Sequence, residues 1–238
     1  MNIKEMQYDL RLKLNKLDSE KYKNIKVPEQ DWKLNEAMHL LIKMIAVPRL
    51  DTKVGFEQTQ RTIDDIRSIV VNTSGLSAVS YSPNSYLVQL PDDYMYLAGF
   101  DRIVATKGTC REVDMELIHV RQHDDNAEAS PFDSSNFEWR ELNVRFFEDG
   151  LRVFTDGTFS IDKVYMNYIR RPKFMHNAED FVGGTYTALD GSVLTGTQDC
   201  ELPWQVHSLI VDLAVLIITG DIQMPDMGFK QMKVKITD

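Results

Sequence analysis

Apolar and polar positions change period along the chain, and the changes mark its elements. Ile3, Met6, Leu10, Leu14 and Leu17 recur every three or four residues, with Lys4, Arg11, Lys13 and Lys16 mostly on other faces. That spacing predicts an amphipathic helix. A polar linker, DSEKYKNIKV, leads to Pro28 and a second helical stripe of Leu34, Ala37, Met38, Leu41, Ile42 and Ile45, closed by Pro48. The first ~48 residues therefore read as a helical hairpin. A shorter helical stretch is expected from Phe56 to Val71, stopping near Asn72 to Gly75.

From about Leu76 the spacing shortens toward two. SYLVQLP, YMYLAGFDRIVATKG and CREVDMELIHV are rich in β-branched and aromatic residues and read as strands, with the serines of NTSGLSAVS in a loop before them. A polar loop, RQHDDNAEASPFDSSNFEW, separates these from ELNVRFFEDGLRVFTDGTFSIDKVYMNYIRRP, where three more strands are expected. Asp149-Gly150 and Asp156-Gly157 are the hairpin-turn signals between them. GGTYTALDGSVLTGTQDC is a Gly/Thr-rich excursion.

Helical spacing returns in ELPWQVHSLIVDLAVLIITG. Pro203 suits a first helical turn, where a missing N–H costs nothing. Val206, Leu209, Ile210, Leu213, Ala214, Ile217 and Ile218 form the stripe, and Gly220 supplies a stop. Val211, Val215 and Leu216 make this helix apolar nearly all round, which predicts that other elements clasp it. It is too short and interrupted to span a bilayer. Asp212, inside the run, is expected on a wet side or as a cap. In the last segment Met232, Val234 and Ile236 alternate with Lys233, Lys235 and Thr237, the period of a strand. Such a strand closes its home sheet or adds to a neighbour's sheet edge.

Helices, then strands, then one returning helix predict an α+β fold rather than alternating α/β. The expected organisation is a helical part at 1–75, an antiparallel β-rich middle, barrel- or sandwich-like, at 76–200, a closing helix at 201–222 packed on the helical part, and an extended arm at 223–238.

Composition narrows the function. The 238 residues are 43% hydrophobic and 26% charged, as in a globular protein. Of the net charge of −9, residues 91–160 hold 15 acids against 7 bases. An acidic surface repels phosphate backbones and argues against reading DNA or RNA sequence. Cys110 and Cys200 fit no metal or redox spacing and are expected as reduced thiols. MNIKEMQYDL carries charge where a signal peptide needs an apolar core, which predicts synthesis in the cytoplasm.

No catalytic constellation emerges. G-x-S-x-G, G-x-x-x-x-G-K-[ST] and G-x-G-x-x-G are all absent. His119 and His123 stand four apart beside Asp124, but His119 closes a predicted strand, so a helical metal pair does not form. TDGT and LDGS read as turns rather than calcium loops. The expectation is a protein that is not an enzyme, with no cofactor and no metal.

The ordered set of motifs says more than any one of them. Leu90-Pro91-Asp92-Asp93-Tyr94 leads into a strand, Pro131-Phe132 lies in a loop, Tyr168 to Pro172 gives Y-x-R-x-P, and Glu201-Leu202-Pro203 opens the closing helix. Over residues 30–222 this series resembles the head–tail connector (adaptor, or ring) proteins of short-tailed, crAss-like bacteriophages. The resemblance implies a structural virion protein of the neck and tail, made in the host cytoplasm. It implies a homo-oligomeric ring, commonly twelvefold, beneath the portal protein and against adjacent tail or ring proteins. Double-stranded DNA would pass through without being read, and the acidic middle suits such a channel, since like charge discourages sticking. No membrane is involved.

A ring needs heterologous contacts between copies. Phe132, Phe137 and Trp139 are candidate aromatic anchors in the mid-chain loop, with core packing at a strand start the other reading of Trp139. Phe229, Met232, Val234 and Ile236 are the apolar candidates in the arm. Other readings of the same sequence are a different neck or minor tail protein, a soluble binding module, and a metal-dependent hydrolase around His119, His123 and Asp124.

Overall fold

The computed structural model describes residues 1–15, 25–46, 64–108, 113–119 and 134–221. Its fold is α+β, with helices and a large sheet segregated. The chain divides into two compact units, Val70–Arg171 and the pair of segments Met1–Ile69 with Pro172–Asp238. The β unit is thus inserted into the helical one, and the divisions fall at 70 and 172 rather than at 76 and 201.

The β unit holds β1 (Val70–Asn72), β2 (Leu76–Ser82), β3 (Ser85–Val88), β4 (Tyr94–Thr106), β5 (Val113–His119), β6 (Glu141–Phe147), β7 (Gly150–Phe154) and β8 (Ser160–Arg170). Pairing runs β8–β2–β3–β7–β6–β5–β4 and returns from β4 to β8, so the ladder closes on itself. Closure satisfies backbone groups that an open edge would leave unpaired. The long β4 and β8 make this possible, because their ladder shifts register four times, between Tyr94 and Tyr96, Leu97 and Gly99, Phe100 and Arg102, and Val104 and Ala105. Each irregularity bends the strand and adds twist.

Several sequence expectations are corrected here. Val70 and Val71 end no helix; they extend along β8, pairing with Ile169 and Tyr168. NTSGLSAVS is largely strand: β2 begins at Leu76, and Thr73 bridges β1 and β2 by exchanging hydrogen bonds with Met166 at 3.0 and 2.9 Å. The sheet is not wholly antiparallel, since β5 and β6 run parallel. A parallel pair needs a crossover of a dozen residues or more, and residues 120–140 supply it. The hairpin between β6 and β7 turns on Glu148-Asp149, with Gly150 already opposite Phe147. Asp156-Gly157 makes no hairpin at all. Both edges of β7 are occupied, by β6 and β3, so the chain crosses to lie between β2 and β4.

The interior of this sheet is apolar. Val88, Ile103, Leu142, Val144, Leu151, Val153, Ile161 and Val164 form one buried cluster with Phe159 at its margin. Each such side chain contributes about 1.5–3 kcal/mol through removal from water.

The helical unit is built from α1 (Ile3–Asn15), α2 (Val27–Ala46) and α3 (His207–Asp221). It also holds two small ladders: β9 (His176–Asn177) with β12 (Thr197–Gln198), and β10 (Thr185–Thr187) with β11 (Val193–Thr195). Ile3, Met6, Leu10 and Leu14 are buried on α1, as are Leu34, Ala37, Met38, Leu41 and Ile42 on α2. Both helices contact α3, whose Ile210, Val211, Ala214 and Ile218 are buried. Asp212 has Lys13 Nζ at 2.9 Å, and Lys13 also reaches Asp9 at 2.7 Å, so the acid inside the apolar helix ties α3 to α1. A 3-10 turn over Trp204–Val206 precedes α3, and Pro203 sits just before it. Gly220 does not stop the helix, which runs through it to Asp221. The expected excursion at 183–200 is ordered by the β10–β11 hairpin, with turn hydrogen bonds from Ala188 to Ser192 at 2.9 Å and from Gly191 to Ala188 at 3.0 Å.

Candidate functional site

Within the β unit, two of the motif segments meet. Tyr94 opens β4 opposite Arg170, and Tyr168 lies two residues back along β8. Tyr168 donates its hydroxyl hydrogen to Asp93 Oδ1 at 2.8 Å, and the Arg171 amide donates to Asp93 O at 2.6 Å. The Tyr94 and Tyr168 rings stand 5.9 Å apart, and Phe146 stacks on Tyr94 at 6.2 Å. Burial and the Asp93 carboxylate push the Tyr168 hydroxyl up to about 12, so it stays a donor at every physiological pH. Leu-Pro-x-Asp-Tyr and Tyr-x-Arg-x-Pro thus close one end of the β4–β8 ladder together. In the helical unit the third motif is anchored too: Glu201 accepts from the Lys173 amide at 2.9 Å, with Lys173 Nζ at 3.8 Å.

A loop before β6 displays an aromatic ring. Trp139 is 76% exposed. Its backbone is held by Asn136, whose Oδ1 accepts from the amides of Glu138 at 2.8 Å and Trp139 at 3.3 Å. Asn136 also bridges to Glu141, and Arg140 takes a left-handed φ of 57° to let the chain turn between them. A non-glycine residue there costs free energy, which the surrounding hydrogen bonds must offset. Phe137, by contrast, is turned inward: its ring lies 5.5 Å from Phe159, and Lys107 Nζ sits 5.4 Å from its centroid. Around this loop and along the sheet, Asp92, Asp101, Glu138, Glu148, Asp149 and Asp156 are all exposed.

The helical unit contains a buried polar network that the periodicity conceals. Asp31 and Asn35 share the α2 stripe with Met38 and Ile42, and both are buried. Asp31 accepts from Gln7 Nε2, from the Asn177 amide at 3.0 Å and from the Tyr186 hydroxyl at 2.7 Å. Asn35 clasps Met175 by both backbone groups, at 2.7 and 3.0 Å. Asn177 in turn donates to Gln7 Oε1 at 2.8 Å and Asp180 Oδ2 at 2.7 Å. Burial pushes the Asp31 carboxyl above its ordinary range, against the pull of its donors, and it raises the Tyr186 hydroxyl. This network fixes β9 and β10 on α1 and α2. The signal available in the sequence was a polar pair, Asp31 and Asn35, on an otherwise apolar helical stripe.

No protein-family model matches the chain, and no curated protein matches its sequence. Function therefore rests on the residues themselves.

Of the seven interface candidates, Trp139 is displayed and Phe137 is largely taken up by the sheet core, while Phe132, Phe229, Met232, Val234 and Ile236 lie outside the described residues. His123 and Asp124 lie outside them as well, and His119 ends β5. Among the described residues no three His, Cys, Asp or Glu side chains gather as a metal site would require. Cys200 is a free thiol, pushed up to about 11 by burial beside Met38. Among the described residues no helix is long and apolar enough to cross a membrane.

Proposed function

We propose that this chain is a subunit of a head-to-tail adaptor ring of a short-tailed bacteriophage, docking beneath the portal and forming part of the DNA exit channel. The observation that carries the reading is the meeting of the resembling motifs. Asp93 and Tyr94 of one segment bind Tyr168 and Arg171 of another, 75 residues away, through a 2.8 Å hydrogen bond and a 2.6 Å backbone contact. Two of the segments that carry the resemblance thus form one contact set, which supports the reading.

Two features of the β unit agree with the role. Asp92, Asp101, Glu138, Glu148, Asp149 and Asp156 are exposed on it, and negative charge suits a channel that must not bind the DNA it passes. It also presents Trp139, an aromatic side chain of the kind that anchors interfaces, on a loop held rigid from within. The chain acts in this reading as a structural, non-catalytic protein.

The test is the mass of the purified protein, alone and with a candidate portal ring, by light scattering or native mass spectrometry. Saturable uptake of many copies by the portal, with weak self-association in its absence, is the expected result. A monomer indifferent to the portal overturns the proposal.

A further inference from the structure

The helical unit carries an open, apolar groove of about 610 Å³. Ile25, Trp32, Phe174, Leu189, Leu194 and Ile218 are among the side chains that line it. Leu189, at the tip of the β10–β11 hairpin, is 82% exposed and Trp32 is 46% exposed. Contiguous apolar surface of this kind marks a place that something covers. The hairpin beside it is a two-stranded ladder, with no further strand on either edge among the described residues.

We infer that the groove is the seat of this chain's own C-terminal segment, with Met232, Val234 and Ile236 as the side chains that fill it. Position argues first. Ile218 is in the groove wall, and α3 ends three residues later at Asp221, so the remaining chain starts about 4.5 Å further along the helix axis. Ten residues then precede Met232, enough to cover about 33 Å if extended, with Pro225 and Gly228 among them as turn formers.

Pattern argues second. Met232, Val234 and Ile236 alternate with Lys233, Lys235 and Thr237, which gives an extended segment one apolar edge for a groove and one charged edge for water. Strand addition to a free hairpin edge is a known way to hold such a segment. Charge argues third. Glu29 and Asp190 bring carboxylates to the groove lining, and Lys33, the one ammonium in that lining among the described residues, is paired with Glu36 at 2.9 Å. Lys230, Lys233 and Lys235 in the segment complement those carboxylates.

Hydrogen exchange on the full chain tests this without any portal present. The wild type is compared with V234D/I236D. Seating of the segment predicts that the amides of 185–195 and of the first turns of α2 exchange on the order of tenfold faster in the variant, while those of β4 and β8 are unchanged. A second variant, Leu189→Asp at the exposed tip, should expose Lys233 and Lys235 to trypsin in a protein whose β4–β8 exchange is still native. Equal exchange of 185–195 in wild type and V234D/I236D overturns the inference. Protection that is present but disappears on dilution also overturns it, because the occupant is then a second copy.

Discussion

Asp31 shows how much one side chain can be made to hold. It faces three donors, Gln7 Nε2, the Asn177 amide and the Tyr186 hydroxyl, and a carboxylate is acceptor-only. Asn in its place offers one acceptor and brings two donors of its own. Asp31→Asn should therefore cost about 1–3 kcal/mol in urea unfolding, the penalty for leaving buried polar groups unpaired. Its pH dependence follows from the sign of the shift. The folded carboxyl titrates above its ordinary value because burial disfavours the charge. Stability linked to Asp31 is complete below the unfolded value, ~3.9, and is lost as pH rises through the raised folded value. The gap between wild type and Asp31→Asn should widen as pH falls from 7 toward 4.5; parallel curves would show that Asp31 is charged at no cost. Tyr168→Phe is the simpler case. It removes the hydroxyl that donates to Asp93 and keeps the ring packing, so a loss of about 1 kcal/mol in the same assay is expected.

At the scale of elements, close approach between strands sets the strictest demands. Gly150 has φ +141°, and a Cβ there would stand 2.6 Å from the carbonyl oxygen of Val88 in the neighbouring β3. Gly150→Ala should cost about 3 kcal/mol, from backbone strain and overpacking together, and lower the melting temperature accordingly. Gly99→Ala is the control, since nothing lies within 4 Å of its Cβ position; it should be neutral or slightly stabilising. The same pair shows what was legible in the sequence. Asp149-Gly150 announces a turn, and one occurs, but the glycine is required by β3, a partner 62 positions away that no local pattern reveals. Asp156-Gly157 misled for a related reason, because a local turn signal is blind to which strand edges are already occupied. Helices were easier. The stripes of α1, α2 and α3 are local, and the side chains they assign to the core are buried almost throughout.

At the scale of the molecule, the insertion of one unit's segment within the sequence of the other has a folding consequence. The buried cluster from Val88 to Val164 draws every member from the inserted segment, and its ladder closes without strands from outside Val70–Arg171. A fragment of residues 70–171 should then unfold cooperatively, with strand-type circular dichroism; a fragment lacking any transition would show that its closure depends on the rest of the chain. Function was less legible than fold, and for a physical reason. Interface residues need only be exposed and well held, and exposure follows from packing that the sequence does not state. Thus Phe137 and Trp139, two residues apart in one aromatic loop, part company: one faces Phe159 and the other faces solvent. Trp139→Ala decides whether that difference matters. With the ring 76% exposed and its loop held by Asn136 rather than by the indole, stability should change by no more than ~0.5 kcal/mol. If Trp139 anchors a contact in a ring on the portal, uptake measured by light scattering should weaken by roughly 2 kcal/mol per contact, about thirtyfold in affinity. Unchanged uptake with unchanged stability would remove Trp139 from the interface.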